Sequence, residues 1–176
     1  MRRPGRPFGH GGSLAGNLML SVMEVVLALK STPLFRSVPG EGLKRLSDFI
    51  HEKSASAGEN VFREGDFGDE MYLVRSGRVS IHQELGESPA LIELVEPGGY
   101  FGEMAIIDDL PRTATATAEV DTSLLVLHEN DFRTAVQDYP DIAFEIFREF
   151  TRRLRRSDRR YRELLLEARR LGLEAR

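Results

Sequence analysis

The feature of the sequence that most constrains the fold is an alternating apolar pattern that begins near residue 53 and continues to residue 129. A period of two indicates β-strands, because successive side chains of a strand face opposite sides of a sheet. Glycines interrupt the pattern at positions 58, 65, 68, 77, 86, 98, 99 and 102. The apolar segments are 61–62, 71–74, 79–81, 91–95, 113–120 and 124–127. Short strands with regular turns, and no alternation of strand and helix, predict an antiparallel β-roll, which we expect over residues 33–139.

Helical spacing of apolar residues precedes this region. We expect a disordered leader rich in Gly, Pro and Arg over residues 1–12 and an amphipathic helix over 13–32. A basic start before an apolar run is also found in signal peptides and membrane anchors. The run here is interrupted by polar residues and is too short to cross a bilayer, so we predict no membrane span. A second short helix is expected over residues 41–51. One face of the first helix carries Leu18, Val22, Val25, Val26 and Leu29.

Helical spacing returns after the alternating region. Asn130 is a plausible N-cap for a helix over 131–137, and Pro140 suits the start of a long helix within residues 140–176. The apolar residues of this helix follow steps of four and three, which is typical of a coiled-coil seam. We expect its first part, Ala143 to Phe150, to pack on the roll, and the part beyond Leu154 to form a homodimer or to contact an effector protein. The seam comprises Ala143, Phe147, Phe150, Leu154, Ser157, Tyr161, Leu164, Ala168 and Leu171.

The amino-acid composition bears on the cellular compartment, on metal binding and on charged partners. The chain has no cysteine, which fits a reducing compartment, and we expect a cytoplasmic protein. The four histidines lack the spacing of metal ligands, so no metal site is predicted. The net charge of −4 is unevenly distributed, since residues 148–176 hold 11 arginines against five acidic residues. A solvated coiled-coil flank explains this basic run, and nonspecific contact with nucleic-acid phosphates is the alternative.

A glycine-rich stretch between two strands, residues 98–115, carries the candidate chemistry. Its first part predicts a glycine turn that leads into a short helix, which directs several backbone N–H groups at one spot suited to an anion. Glu103 and Arg112 lie nine residues apart in this stretch. A carboxylate accepts hydrogen bonds from ribose hydroxyls, and an arginine fork matches phosphate oxygens, so this pair is suited to a sugar phosphate. On spacing alone, an internal Glu103–Arg112 ion pair that closes the loop remains equally open.

The same residues resemble a known family. The run Phe101-Gly102-Glu103-Met104-Ala105-Ile106, followed by Pro111-Arg112-Thr113-Ala114-Thr115, is similar to the phosphate-binding cassette of cyclic-nucleotide-binding domains. Such domains serve protein kinase A regulatory subunits, nucleotide-gated channels and the bacterial cAMP receptor activator. The resemblance extends upstream to the turn glycines Gly65 and Gly77, and it covers roughly residues 33–160.

The resemblance implies cAMP, or cGMP, as the ligand and assigns roles within the cassette. Glu103 would hold the ribose 2′-hydroxyl and Arg112 the cyclic phosphate, with backbone amides adding phosphate contacts. Thr113 stands where a hydroxyl assists guanine recognition, and Ser157 stands where a hydroxyl meets the adenine amino group. Ile106 matches the apolar residue that shifts when the cassette tightens. The ligand-binding residues implied in this way are Gly102, Glu103, Met104, Ala105, Arg112, Thr113 and Ser157.

Other functions have less support in the sequence. Nucleophile elbows, Walker lysines and paired catalytic carboxylates are missing, so we do not expect an enzyme. After the long helix no recognition helix can be placed, so no specific nucleic-acid partner is predicted. A β-roll that binds no nucleotide and acts as an adaptor is the remaining alternative, and the intact Glu103 and Arg112 argue against it. We therefore expect a regulatory module that senses a cyclic nucleotide and transmits its occupancy through the C-terminal helix.

Overall fold

A computed structural model describes residues 20–86 and 88–172 of the chain. The predicted leader and the first residues of the predicted N-terminal helix lie outside them. In chain order the elements are α1 (Val22–Ser31), a 3-10 turn (Pro33–Phe35), α2 (Gly40–Ser47), β1 (His51–Ala55), β2 (Asn60–Phe62), β3 (Glu70–Ser76), β4 (Val79–Leu85), β5 (Ser88–Val95), β6 (Tyr100–Phe101), α3 (Glu103–Asp108), β7 (Thr115–Ala118), β8 (Thr122–His128), α4 (Glu129–Asp138) and α5 (Asp141–Arg170).

The strands form two four-stranded antiparallel sheets that face each other. One sheet has the order β1-β8-β3-β6 and the other has the order β2-β7-β4-β5. In the first sheet β3 and β8 pair along most of their length, with Tyr72 opposite Val126. Helices flank the roll at both ends of the chain, and the last of them is long. The predicted antiparallel β-roll with N-terminal helices and a long C-terminal helix is therefore confirmed.

The first sheet is buried on both of its faces, which explains the unbroken apolar run in β8. Leu124 and Val126 lie in a cluster between the two sheets, whereas Leu125 and Leu127 lie in a second cluster under the helices. Alternate side chains of one strand therefore serve two different cores. The helical cluster also contains Ile142, near the start of α5.

Several element boundaries differ from the sequence expectations. Helix α2 ends at Ser47 rather than near residue 51, because His51 begins β1. This strand was not predicted, since the sequence His-Glu-Lys-Ser-Ala is mostly polar and lies at the edge of its sheet. Helix α4 begins at Glu129 with His128 as its N-cap, so Asn130 lies within the first turn and is not the cap.

Helix α5 packs on the roll through a face adjacent to the predicted seam. Ile142 and Ile146 are its buried residues, and Phe150 packs against the same cluster. Phe147, which we expected to be buried, is 64% exposed. The reason is that the roll contacts the side of the helix one residue before the seam positions. Beyond Leu154 the seam residues are exposed, apart from the half-buried Ala168. Within the described ranges, no helix is both long and apolar enough to cross a membrane.

Candidate functional site

The glycine-rich stretch folds into a sharp turn at the edge of the first sheet. Strand β6 pairs with β3 and ends at Phe101. Gly102 then adopts φ +79°, a left-handed conformation that side chains other than hydrogen disfavour, and it caps the short helix α3. The chain leaves α3 at Asp109, which is also left-handed with φ 56°, and returns to the second sheet through β7. The predicted turn and short helix are thus present where the sequence indicated them.

Six of the seven predicted ligand residues line one cavity of about 160 Å³. They are Gly102, Glu103, Met104, Ala105, Arg112 and Thr113. The seventh, Ser157, is exposed on α5 one helical turn beyond Arg153 and does not line this cavity. Strands β2, β4 and β5 close the other side of the cavity with mostly apolar side chains, including Phe62, Ile81 and Ile92.

Arg112 is the central charged group of the cavity wall and is only 5% exposed. Its Nη1 and Nη2 donate to the backbone carbonyl oxygens of Gly102 and Glu70, each at 2.7 Å. Its guanidinium carbon lies 4.3 Å from the centre of the Phe62 ring, and its Nε is buried without a partner in the described part of the chain. Burial lowers the pKa of Arg112, with nearby Tyr72, Glu70 and other acids opposing that effect.

The guanidinium of Arg112 thus has neutral partners. Within residues 20–86 and 88–172, no carboxylate lies at ion-pair distance from it. The internal Glu103–Arg112 ion pair, left open by the sequence, is not formed. A buried cation without a counter-ion attracts an anion strongly, because little water remains to screen its charge.

Two glycines shape the space around this guanidinium. A β-carbon added to Gly68 would lie 2.5 Å from Nη2 of Arg112, and one added to Gly102 would lie 2.8 Å from Nη1. Both distances are shorter than carbon–nitrogen contacts allow. The guanidinium therefore occupies its position only because both neighbours lack a side chain.

Glu103, at the start of α3, is 2% exposed and is paired with a residue from α5. Nη1 of Arg153 donates to its Oε1 at 2.5 Å. Burial raises the pKa of Glu103, and the positive charge of Arg153 limits the rise. For Arg153, burial lowers the pKa, but the carboxylates of Glu103 and Glu93 outweigh burial and the net shift is upward.

Arg153 is the main site residue that sequence reasoning did not assign. It lies in a run of arginines on α5, fifty residues from Glu103, so neither charge spacing nor periodicity distinguishes it from its neighbours. The aromatic wall at Phe62 and Phe101 was also missed as part of the site. The resemblance to the family extends to about residue 160 and so includes Arg153, but it assigned no role to this residue.

The far side of α3 belongs to the protein core. Ile106 is buried in the same cluster as Phe132 of α4 and Ile146 of α5. One short helix therefore contacts the cavity with Glu103 and Ala105, and the two C-terminal helices with Ile106. Within the described residues, no group of three His, Asp or Glu side chains could hold a metal ion.

Residues 52–139 match the family described as cyclic nucleotide-binding domain. The matched segment is half of the chain and contains the cavity residues from Phe62 to Ala114. The chain belongs to the cyclic-nucleotide-binding domain family. Arg153 and the exposed part of α5 lie outside the segment that matches this family.

Individual members of the family agree with this assignment. The chain is 33% identical to the cyclic AMP receptor protein of Thermus thermophilus over 131 residues, which cover 74% of this chain and 61% of the relative. It is 38% identical to a cyclic nucleotide-gated potassium channel of Mesorhizobium japonicum over 118 residues, which cover 67% of this chain and 31% of the channel. The crystal structure of the Thermus thermophilus catabolite activator protein superposes with a TM-score of 0.70 at 31% identity, and the superposition covers 81% of this chain and 73% of that protein. The chain thus spans less than two thirds of these two curated relatives.

Proposed function

We propose that the chain is a regulatory module that binds cAMP, with cGMP as the alternative ligand, in the cavity between α3 and the second sheet. The observation that carries this proposal is the buried guanidinium of Arg112, which lines the cavity and has no counter-ion among the described residues. A cyclic phosphate has one negative charge, and it would supply that counter-ion. The name of the relative from Thermus thermophilus, a cyclic AMP receptor protein, supports cAMP as the first ligand to test.

Each cavity residue has a role in this proposal. Arg112 binds the cyclic phosphate, helped by backbone N–H groups of Gly102 and Ala105, since the first turn of a helix leaves its N–H groups free. Glu103 accepts a hydrogen bond from the ribose 2′-hydroxyl. Met104 and Thr113 border the ligand, and the Thr113 hydroxyl is available to a guanine base. Ser157 has a role only if ligand binding brings α5 closer to the cavity.

Helix α5 is the proposed output of the module. A ligand hydroxyl bound to Glu103 would share this carboxylate with Arg153, and tightening of α3 would move Ile106 against the core that holds Ile146. Both effects bias the position of α5. The free energy that ligand binding can supply to move α5 cannot exceed the difference in ligand binding free energy between the two positions of the helix. We propose that the output is parallel self-association through the seam beyond Leu154, or contact with an effector protein.

Calorimetric titration with cAMP and cGMP tests the binding proposal directly. Arg112→Ala removes the buried cation and should weaken cAMP binding roughly 30-fold to several thousand-fold. Arg133→Ala is the matched control, because Arg133 is an exposed arginine that pairs with Asp109 and Glu129 outside the cavity. Absence of binding to the unaltered protein would favour the adaptor alternative, whereas equal cAMP affinities of the two variants would contradict the role proposed for Arg112.

The basic face of α5 supports a second candidate function, contact with nucleic-acid phosphates. Arg155, Arg159 and Arg162 are exposed on this helix, and none of them has an ion-pair partner among the described residues. Retention on duplex DNA across a salt gradient tests it. Replacing Arg155 and Arg162 with glutamine should lower the salt slope by about 1 for each phosphate that the variant no longer neutralises. An unchanged slope would leave these arginines as a solvated flank.

A further inference from the structure

Two further cavities border the loop between β2 and β3, with volumes of about 370 and 430 Å³. Phe67, Gly68 and Asp69 line both of them, so the two cavities form one continuous surface, the loop groove. Leu110 lines one part of the groove and Arg112 lines the other. Phe67 is 83% exposed and Leu110 is 58% exposed. The groove therefore presents apolar side chains that the described part of the chain leaves largely uncovered.

Acidic side chains surround these apolar residues. Arg112, which lines the groove, and Arg133, which forms ion pairs with two of its acids, supply two positive charges. His128 lies 3.9 Å from one of the acids, Asp69, and adds a positive charge only when it is protonated. With His128 neutral, the groove has an excess of three negative charges. The acids that line it are Asp66, Asp69, Glu70, Asp109 and Glu129.

The predicted leader has the composition that such a surface binds. It contains Arg2, Arg3 and Arg6 and no acidic residue, so its three positive charges match the excess of the groove. A carboxylate accepts two hydrogen bonds from one guanidinium, and a guanidinium also packs on the face of an aromatic ring. Phe8, the single aromatic residue of the leader, supplies an apolar side chain for the exposed apolar residues of the groove.

The described chain also begins close enough to the loop groove. The backbone N–H of Leu20 donates to Oε1 of Glu52 in β1 at 2.7 Å. The ring of the neighbouring His51 lies 5.8 Å from the ring of His128, and Nδ1 of His128 lies 3.9 Å from Asp69 in the groove. The last arginine of the leader precedes Leu20 by fourteen residues, which span up to about 46 Å when extended. The leader can therefore reach the groove of its own chain.

We infer that the leader docks in the loop groove of its own chain, with its arginines on the acids of the groove and Phe8 against Phe67 and Leu110. A second copy and an unrelated basic peptide are the other possible occupants. The chain's own leader is favoured because a short connection gives a tethered segment an effective concentration of about 1 mM. Docking requires no nucleotide, so this inference stands apart from the proposed function.

Paramagnetic broadening in the full chain tests the docking. Because the chain has no cysteine, Gly5→Cys supplies a single site for a nitroxide spin label. The amide signals of Phe67, Asp69 and Leu110 should lose intensity relative to the same protein with the label reduced. The amide of Gly77, which follows the opposite end of β3, should keep its intensity. The broadening should be lost at about 1 M salt, where the screening length falls to about 3 Å.

Two double variants of the labelled chain test the charges of the groove. Asp69→Asn with Asp109→Asn removes two carboxylates whose side chains are exposed, and the broadening should decrease. Glu84→Gln with Glu96→Gln is the matched control, because both acids are exposed and neither lines the groove. The control should broaden the same signals as strongly as the labelled chain without these substitutions.

Three results would overturn the inference. They are the absence of broadening, equal broadening in the two double variants, and broadening that survives at high salt. A mixture of spin-labelled chains and separate ¹⁵N-labelled chains identifies the occupant, since broadening in this mixture would place the leader on a second copy and contradict docking within one chain. Calorimetry measures cAMP binding in the same protein, so failure of the docking and failure of the proposed function are observed separately.

Discussion

Arg153 of α5 and Glu103 of α3 form a buried ion pair across fifty residues of sequence, with 2.5 Å between Nη1 and Oε1. This contact joins the long C-terminal helix to the acid that we propose for ribose binding. The roll contacts α5 mainly through apolar residues such as Ile142 and Ile146. Arg153 adds the polar contacts between cavity and helix, of which the one with Glu103 is shorter than the one with Glu93 at 3.9 Å. The strength of the pair between Arg153 and Glu103 can be measured separately from any ligand.

A double-mutant cycle gives the coupling energy of this pair. Arg153→Gln leaves a buried carboxylate without its counter-ion and should lower the free energy of unfolding by about 3 kcal/mol at pH 7. Glu103→Gln should cost less, because Arg153 is partly exposed and retains Glu93 and Glu149 as neighbours. The double variant should be more stable than Arg153→Gln alone. Urea unfolding of the four proteins gives the result, and strictly additive effects would contradict a coupled pair.

Glu103 should contribute to the pH dependence of the free energy of unfolding. Burial raises the pKa of this carboxyl above its ordinary value of 4.5. At pH values between 4.5 and the raised pKa, Glu103 is protonated more often in the folded state than in the unfolded state. Its contribution to stability therefore falls as the pH rises through this window. The difference in unfolding free energy between the unaltered protein and Glu103→Gln isolates this contribution. In Arg153→Gln the decline should extend to higher pH, because the opposing positive charge is gone.

Gly68 is expected to affect ligand binding without being a ligand residue. Alanine at this position would place its β-carbon 2.5 Å from Nη2 of Arg112, and the guanidinium must then move. Losing one charge-assisted hydrogen bond to the phosphate should weaken cAMP binding about tenfold or more. Gly40→Ala is the matched control, because no atom lies within 4 Å of its added β-carbon. Equal cAMP affinities in calorimetry would show that Arg112 tolerates the displacement.

Replacing a large side chain by alanine should have different effects on the two faces of α5. Ile142 is fully buried, so Ile142→Ala should lower the free energy of unfolding by about 2–5 kcal/mol at any protein concentration. Leu154 is 64% exposed, and at low concentration Leu154→Ala should change stability by no more than about 0.5 kcal/mol. If the seam associates, the effect of Leu154→Ala grows with protein concentration. Urea unfolding at two concentrations about a hundredfold apart compares these variants.

Local sequence signals predicted the roll and the cassette well. Alternating apolar residues and turn glycines indicated the strands, and these signals act within a few residues of one another. The two-residue strand β6 and the polar strand β1 were missed, because both exist only through pairing with distant strands. Gly102, Glu103 and Arg112 were recognised because they belong to one contiguous motif.

The contacts that complete the site could not be predicted from local patterns. Arg153 reaches Glu103 only because the roll orients α5 along the face that carries Ile142 and Ile146. The seam pattern suggested a different face, which is why Phe147 was expected to be buried and is exposed. For the same reason Ser157, assigned by resemblance, does not line the cavity of the isolated chain.

Helix α5 contacts the roll as far along as Arg153, and the residues beyond it extend as a lever. From Arg153 to Arg170 a straight helix extends about 26 Å at 1.5 Å per residue. A tilt of about 5° at Arg153 would therefore displace the far end by about 2 Å, a little under half of the roughly 5–6 Å between neighbouring Cβ atoms on a helix surface. A shift in the contact between Glu103 and Arg153 would thus be larger at the distal end of the helix than at the cavity.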